Sequence, residues 1–326
     1  MRLKLVPSET SIDFFKNSKY TLGLSVVAVI ASVVIFFMMG LNFGIDFRGG
    51  TTIRTSAQNP VDMAAYRAAL KPLGLGDISI TEVIEPAAQL AGEPSKVAQI
   101  RIEAQKGAES AQVEMLKEVK DALIKVDPTM SFPQVDSVGP KVSGELIQTA
   151  VLAVVLAMTA VLFYIWLRFE WQFSLGAVVA LIHDVLLTIG IFSLLQMKFD
   201  LEIIAALLTI VGYSLNDTVV VFDRVRENLR KYKKKPLEQV LNASINETLS
   251  RTVITALTTI IALVALFVLG GDVIRGFVFA MIWGVVVGTY SSVFVASAIL
   301  LRLGVKRDWD KVDDGRGGTQ FANIDA

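Results

Sequence analysis

Apolar residues in this chain are concentrated in long runs instead of recurring at the period of a surface helix or strand. A run of about 20 apolar residues crosses roughly 30 Å of hydrocarbon as a helix, which satisfies its own backbone polar groups there. Each run therefore predicts one membrane-spanning helix. The predicted spans are Tyr20–Leu41, Ile147–Leu167, Phe173–Leu195, Leu201–Phe222, Thr252–Leu269 and Phe277–Leu301.

The stretch between the first and second runs, residues 42–145, is polar and divides into short segments. Apolar residues at helical spacing mark residues 60–73 and 109–126. Alternation and β-branched residues, which are typical of strands, mark residues 51–55, 78–84, 97–102 and 130–138. The order β-α-β-β-α-β is the split arrangement of ferredoxin-like folds. We therefore expect an α-helical multi-pass membrane protein with a ferredoxin-like α+β domain between transmembrane helices 1 and 2.

The composition agrees with this architecture, because 53% of the 326 residues are hydrophobic and the mean hydropathy is +0.56. The first run is too long for a signal-peptide core and lacks an Ala-x-Ala cleavage site, so we expect it to remain as an anchor. The chain has no cysteine, which excludes disulfides and cysteine nucleophiles. We expect no cofactor, no metal and no enzymatic activity, since nothing in the domain looks catalytic.

Lysine and arginine residues flank the spans on one side of the membrane, whereas the short opposite loops hold only Lys198 and Arg275. The positive-inside rule then places residues 1–19 and 302–326 in the cytoplasm. Spans two to six occupy residues 146–301 and include a basic cytoplasmic loop at about 223–250. We expect this loop to meet anionic membrane lipid or cytoplasmic partners, or to serve only as a determinant of topology. The domain at 42–145 lies outside, and its 11 Lys/Arg against 14 Asp/Glu argue against nucleic acid as a partner.

Ionisable residues within spans are informative, because each costs roughly 2.5–3.5 kcal/mol at mid-helix. Asp217 in span four and Arg251 at the start of span five are predicted at comparable depth, where pairing lowers the desolvation cost of both. Further polar residues lie at helical spacing on the same helix faces as Asp217 and Arg251, which predicts a water-lined seam for ion coupling. The alternative is a structural ion pair. The seam residues are Tyr213 and Asn216 on span four, with Thr255, Thr258 and Thr259 on span five.

Two weaker signals lie in other spans. His183 and Asp184 in span three are candidates for a proton relay, since histidine titrates near neutrality. The alternative is that the two side chains only form hydrogen bonds to a neighbouring helix. Gly284 and Gly288 in span six form a small-xxx-small pair, which predicts close packing against a partner.

Glycines mark both junctions between the domain and the membrane. Gly44, Gly49 and Gly50 follow span one, and Gly139 with Pro140 precedes span two. Glycine permits sharp changes of backbone direction and close approach. We predict that these junctions act as hinges or levers for the domain, or at least as stiff tethers.

Five segments carry specific motifs: GIDFRGGT at 44–51, VGPKVSGEL at 138–146, HD at 183–184, SLNDTVVVFDRVREN at 214–228 and NETLSRTVITALTT at 246–259. Together they resemble the SecD/SecF family of protein-export membrane subunits, of the proton-driven resistance-nodulation-division type. The resemblance implies location in the bacterial inner membrane, a SecD partner with six further spans, and assistance to the SecYEG channel, the SecA motor and YajC. It also implies that Asp217 and Arg251 belong to a proton path for the movement and release of preproteins in the periplasm.

Three other functions are weighed against this one. A subunit of a proton-driven small-molecule exporter is expected to have larger, paired outer domains in a longer chain. An intramembrane protease is expected to carry His-Glu-x-x-His or paired protease aspartates, which are absent from the sequence. A passive scaffold of the translocon is compatible with the sequence, because a structural ion pair gives the same pattern.

Overall fold

The computed structural model describes residues 10–76, 78–83, 94–103, 109–270 and 272–305. Within them, six helices are long and apolar enough to cross a membrane, which confirms the predicted spans. The sixth is interrupted by a π-turn. The spans are Ser18–Met39, Pro140–Arg168, Trp171–Leu195, Leu201–Lys231, Leu237–Leu269, and Asp272–Ser291 continued by the π-turn Ser292–Ala296 and Ser297–Leu303.

The domain between spans one and two has the predicted ferredoxin-like fold. In chain order the elements are β1 Asn42–Phe43, a short helix Ile45–Arg48, β2 Gly50–Ser56, helix Met63–Leu70 with the 3₁₀ turn Lys71–Leu73, β3 Ile78–Val83, β4 Val97–Glu103, helix Glu109–Val126 and β5 Ser131–Val138; β6 Lys198–Phe199 follows between spans three and four. The antiparallel sheet of the domain has the strand order β3-β4-β2-β5, and two helices pack against one face around Ile53, Ile100 and Leu123. Ile84, predicted at the end of β3, and most of the predicted tail at 302–326 lie outside the described residues.

The domain lies at one end of the helical bundle, here named the domain side; the opposite end is the far side. Residues 10–17 lie on the far side and bind the fifth helix: the Ile12 amide donates to Asn246 Oδ1 at 2.9 Å, and the Phe14 amide to Asn242 Oδ1 at 2.9 Å. The sixth span is the centre of the bundle, with 67% of its apolar window buried, against 11% for spans one, two and five.

The segment at 223–250, predicted as a loop, is almost entirely helical. Span four continues to Lys231 and the fifth helix begins at Leu237, so only residues 232–236 form the connection. Polar residues along these helix extensions interrupt the apolar runs on which the prediction depended. For the same reason the predicted start of span two at Ile147 is late, since that helix begins at Pro140.

The two helix extensions pack together as an amphipathic hairpin on the far side. Val225 of the first extension lies with Val240 and Leu241 of the second in one apolar cluster. Beside this cluster, Asn228 Nδ2 donates to Glu247 Oε2 at 2.7 Å. The hairpin therefore buries one face and directs charged residues to the other, as helices at a protein surface do.

The small residues of span six pack within this chain, so their predicted contact with a partner is wrong. A Cβ added at Gly284 would lie 2.3 Å from Ile210 Cγ1 of span four, and one added at Gly288 would lie 3.0 Å from Ser214 Cβ. These glycines bring spans four and six together at the depth of the candidate site.

Candidate functional site

Asp184 is a fully buried carboxylate in the middle of the bundle. Its Oδ2 accepts hydrogen bonds from Ser214 Oγ of span four at 2.6 Å and from Ser291 Oγ of span six at 2.8 Å. Its Oδ1 lies 2.9 Å from His183 Nδ1. Three spans therefore meet at one carboxylate, which matches the rule that buried charges are held by hydrogen bonds.

Asp217 is the second carboxylate, and it is half-buried between spans four, five and six. Thr252 Oγ1 of span five donates to Asp217 Oδ1 at 2.5 Å, and Ser292 Oγ of span six donates to Asp217 Oδ2. Both carboxylate oxygens are thus bound by neutral hydroxyl groups from two neighbouring helices.

The predicted ion pair between Asp217 and Arg251 is not formed in the described chain, where the Arg251 side chain is exposed. The reason is helical phase: successive residues of a helix point about 100° apart. Thr252, only 2% exposed, occupies the inward position. Arg251 is directed away from it, toward the outside of the bundle.

The two aspartates are linked through adjacent residues of span six. Ser291 bonds Asp184 and Ser292 bonds Asp217, and the π-turn Ser292–Ala296 begins at this point. The wider turn is supported by Ser297 Oγ, which donates to the Ser292 carbonyl at 3.1 Å. π-turns within α-helices are rare and frequently occur at functional sites.

The predicted polar seam lies at the surface of this chain and not in its interior. Asn216 and Thr258 are exposed, and Tyr213 is half-buried. The hydroxyls of Thr255 and Thr259 donate to carbonyls of their own helix, to Arg251 at 2.9 Å and to Thr255 at 2.8 Å. Polar groups on a lipid-facing surface are costly, so this face is suited to contact with another protein.

His183 is buried beside Asp184 and has one unused nitrogen. No hydrogen-bond partner within the described residues reaches its Nε2. Its ring stacks on Tyr290, with 6.2 Å between the ring centroids. The Tyr290 hydroxyl donates to the Thr21 carbonyl at 2.9 Å and lies 3.0 Å from Ser25 Oγ, so this cluster reaches span one.

The junction after span one is docked on the connection between spans three and four. β1 pairs in parallel with β6, and the Gly44 amide donates to the Phe199 carbonyl at 3.0 Å. Asp46 Oδ2 accepts from the Leu201 amide, at the start of span four, at 3.1 Å. A Cβ at Gly44 would lie 1.2 Å from Asp200 Oδ1, so glycine is needed for this close approach.

The remaining junction residues differ in what they require. Gly49 and Gly50 have φ values of 72° and 133°, which favour glycine, and Gly49 ends the short helix. Gly139 has an extended backbone, a Cβ added there would meet nothing within 4 Å, and Pro140 is the first residue of span two. Whether these positions act as hinges stays a prediction.

Sequence reasoning identified both aspartates but missed the hydroxyl groups that bind them. Ser214, Thr252, Ser291 and Ser292 are small polar residues in apolar runs. The adjacent serines at 291–292 were the available signal, because a polar pair in the most enclosed span needs partners.

Comparison with known proteins agrees with the fold and the motifs. The family described as protein export membrane protein SecD/SecF, C-terminal, matches residues 118–306, and the SecD/SecF GG motif matches residues 34–61. The protein translocase subunit SecF of Cereibacter sphaeroides is 61% identical and covers 100% of this chain and 99% of the relative. The SecF subunit of Rhodobacter capsulatus is 57% identical, covering 96% of this chain and 95% of the relative.

Longer relatives contain this chain as one part. The SecDF subunit of Brucella abortus is 40% identical over 96% of this chain but only 40% of its own length. The crystal structure of a translocon-associated SecDF from Thermus has a TM-score of 0.79 at 32% identity, covering 93% of this chain and 40% of that chain. A SecDF in a super-membrane-facing form has a TM-score of 0.66 at 34% identity, with the same coverage. The chain therefore belongs to the SecD/SecF family of protein-export membrane proteins.

Proposed function

We propose that this chain is the SecF-type subunit of the Sec translocase and that, with a SecD partner, it uses the proton-motive force to assist preprotein translocation and release. The observation that carries the proposal is the pair of carboxylates, Asp184 and Asp217, bound by adjacent serines at the π-turn of span six. Intramembrane carboxylates in such networks are typical of proton relays.

Protonation changes what Asp217 can do. An ionised carboxylate only accepts hydrogen bonds, whereas a protonated one also donates. With both oxygens now accepting from Thr252 and Ser292, a proton on either oxygen adds a donor and removes charge and one acceptor lone pair there, which weakens the hydrogen bond from that hydroxyl. Spans five and six would then shift relative to span four. Each proton that crosses the membrane supplies roughly 2.3 kcal/mol per 100 mV of membrane potential for this movement.

The same helix connects Asp217 to the domain. Span four runs from Leu201 without interruption past Asp217, a distance of about 24 Å at 1.5 Å per residue. Its first amide is bound by Asp46, which belongs to the junction below β2. A displacement of span four would therefore move Asp46 and, with it, the base of the domain.

The exposed face formed by Asn216, Arg251 and Thr258 is the proposed contact with SecD. The SecDF relatives support this assignment, because this chain spans about 40% of their length. In the assembled translocase we place the chain in the bacterial inner membrane with SecYEG, SecA and YajC. By the positive-inside rule the domain side is periplasmic and both termini are cytoplasmic.

The test compares Asp217→Asn with Asp223→Asn, a control on the same helix whose side chain is 45% exposed. Preprotein release is measured in membrane vesicles with and without a proton gradient. We expect Asp217→Asn to lose the response to the gradient while the complex still assembles, and Asp223→Asn to keep it. A full response from Asp217→Asn would show that the proposed coupling through Asp217 is wrong and would favour the passive scaffold.

A further inference from the structure

A cavity of about 460 Å³ lies between the domain and the membrane helices. Its roof is the sheet face that the domain helices leave uncovered: Ile53 points into the domain core, so alternation along β2 directs Thr52 and Arg54 to the opposite face. Its floor is the connection between spans three and four. The volume falls in the range of ligand sites, which often occur at domain interfaces.

The cavity has an excess of negative charge. Four carboxylates and two cationic side chains line it, and one carboxylate oxygen of Asp200 is already paired with Lys198 Nζ at 2.7 Å. The charged lining residues are Asp46, Asp136, Asp200, Glu202, Arg54 and Lys198. A cation is therefore the complementary ligand.

The roof of the cavity also holds a buried hydroxyl without a partner in the described part of the chain. Thr52 is only 6% exposed, and its Oγ1 makes no hydrogen bond within the described residues. Asp200 Oδ1 is likewise without a donor there, but it lies against the backbone of Gly44. Buried polar atoms are nearly always hydrogen-bonded, so Thr52 Oγ1, which can accept or donate, points to a polar ligand, and the excess of carboxylates around it favours one with cationic N–H groups.

We infer that the cavity binds the cationic side chain of an arginine or lysine in an extended polypeptide. A guanidinium group offers five N–H donors, and the cavity is much larger than a bare metal ion requires. The inference rests on the proposed function, which brings an unfolded polypeptide to the domain side of the membrane.

The test uses the purified full-length chain in detergent micelles and a fluorescently labelled, blocked peptide Gly-Ser-Arg-Ser-Gly. A second peptide carries citrulline, the neutral isostere of arginine, at the central position. Fluorescence anisotropy gives both affinities for the wild type, Glu202→Gln, Thr52→Val and the control Glu114→Gln on the exposed surface of the second domain helix. Thermal unfolding confirms that each variant is folded.

We expect the arginine peptide to bind about tenfold more tightly than the citrulline peptide, because only the former carries charge. Glu202→Gln should reduce this preference, Thr52→Val should weaken binding of the arginine peptide, and Glu114→Gln should leave both unchanged. Equal affinities for the two peptides, or the same loss in the Glu114→Gln control, would overturn the inference. Binding needs no gradient, so Asp217→Asn should bind the peptide normally, which separates this test from that of the proposed function.

Discussion

The contact between spans four and six gives a sharp prediction for Gly284→Ala. The new Cβ would lie 2.3, 2.5 and 2.7 Å from Cγ1, Cδ1 and Cγ2 of Ile210, whereas carbon atoms pack at about 3.5–4.0 Å. Ile210 is 1% exposed, so its side chain has no open space to enter. Overpacking of this kind costs about 1–3 kcal/mol.

Gly212→Ala is the matched control on span four, since its Cβ would meet nothing within 4 Å. Alanine is a better helix former than glycine, so this control should be neutral or stabilising. Stability is measured by SDS-induced unfolding of the purified chain in detergent micelles, followed by tryptophan fluorescence. We expect Gly284→Ala to unfold at lower SDS than both the wild type and the control.

A double-mutant cycle isolates the contact. Ile210→Ala alone removes buried methyl groups and should cost about 2–5 kcal/mol. In the Gly284→Ala background it should cost about 1–3 kcal/mol less, because the clash is removed with the side chain. Additive losses in the cycle, or Gly284→Ala as stable as Gly212→Ala, would refute the packing argument.

Three further predictions concern the junction, the partner face and the domain. Asp46→Ala removes the carboxylate that binds the first amide of span four, and thermal unfolding should show a loss of about 0.5–2 kcal/mol. Because the chain has no cysteine, Thr258→Cys on the exposed face should cross-link to a cysteine-bearing SecD partner in membranes, whereas the buried Ala256→Cys should not. Hydrogen bonds from Thr129 lower the pKa of Asp127. The stabilisation that the ionised Asp127 provides should therefore be complete above about pH 4 and be lost as the pH falls through the lowered pKa. The difference in melting temperature between wild type and Asp127→Asn, measured across pH, checks this.

The sequence predicted the spans and the domain because each leaves a distinct pattern of apolar residues. An apolar run identifies a membrane helix directly, and the alternation of apolar residues in β2 to β5 predicted where these strands occur along the chain. The helical hairpin on the far side was missed because its polar face interrupts the apolar run, as at Arg224 and Glu247. The predicted ends therefore differ most where a helix continues into polar residues, as after Phe222 and before Thr252, whereas the ends at Leu195, Leu201 and Leu269 are as predicted.

The site was predicted only in part, because side-chain partners depend on helical rotation. Asp217 and Asp184 were recognisable as costly ionisable groups within spans. The identity of their partners was not, since a rotation of one residue on span five exchanges Arg251 for Thr252. The π-turn likewise changes the rotation of span six at Ser292, and no residue pattern in the sequence predicted it.

The central position of span six has a consequence for the biogenesis of the protein. This span is synthesised after the other five, yet it is the most enclosed and supplies hydroxyl groups to both aspartates. Until it is inserted, spans three and four must keep Asp184 and Asp217 in the bilayer without Ser291 and Ser292. Until span six arrives, each carboxylate therefore lacks one of its hydroxyl partners: Asp184 keeps only Ser214 and His183, and Asp217 keeps only Thr252, so the network that joins the two aspartates closes in the final step of insertion of these six spans.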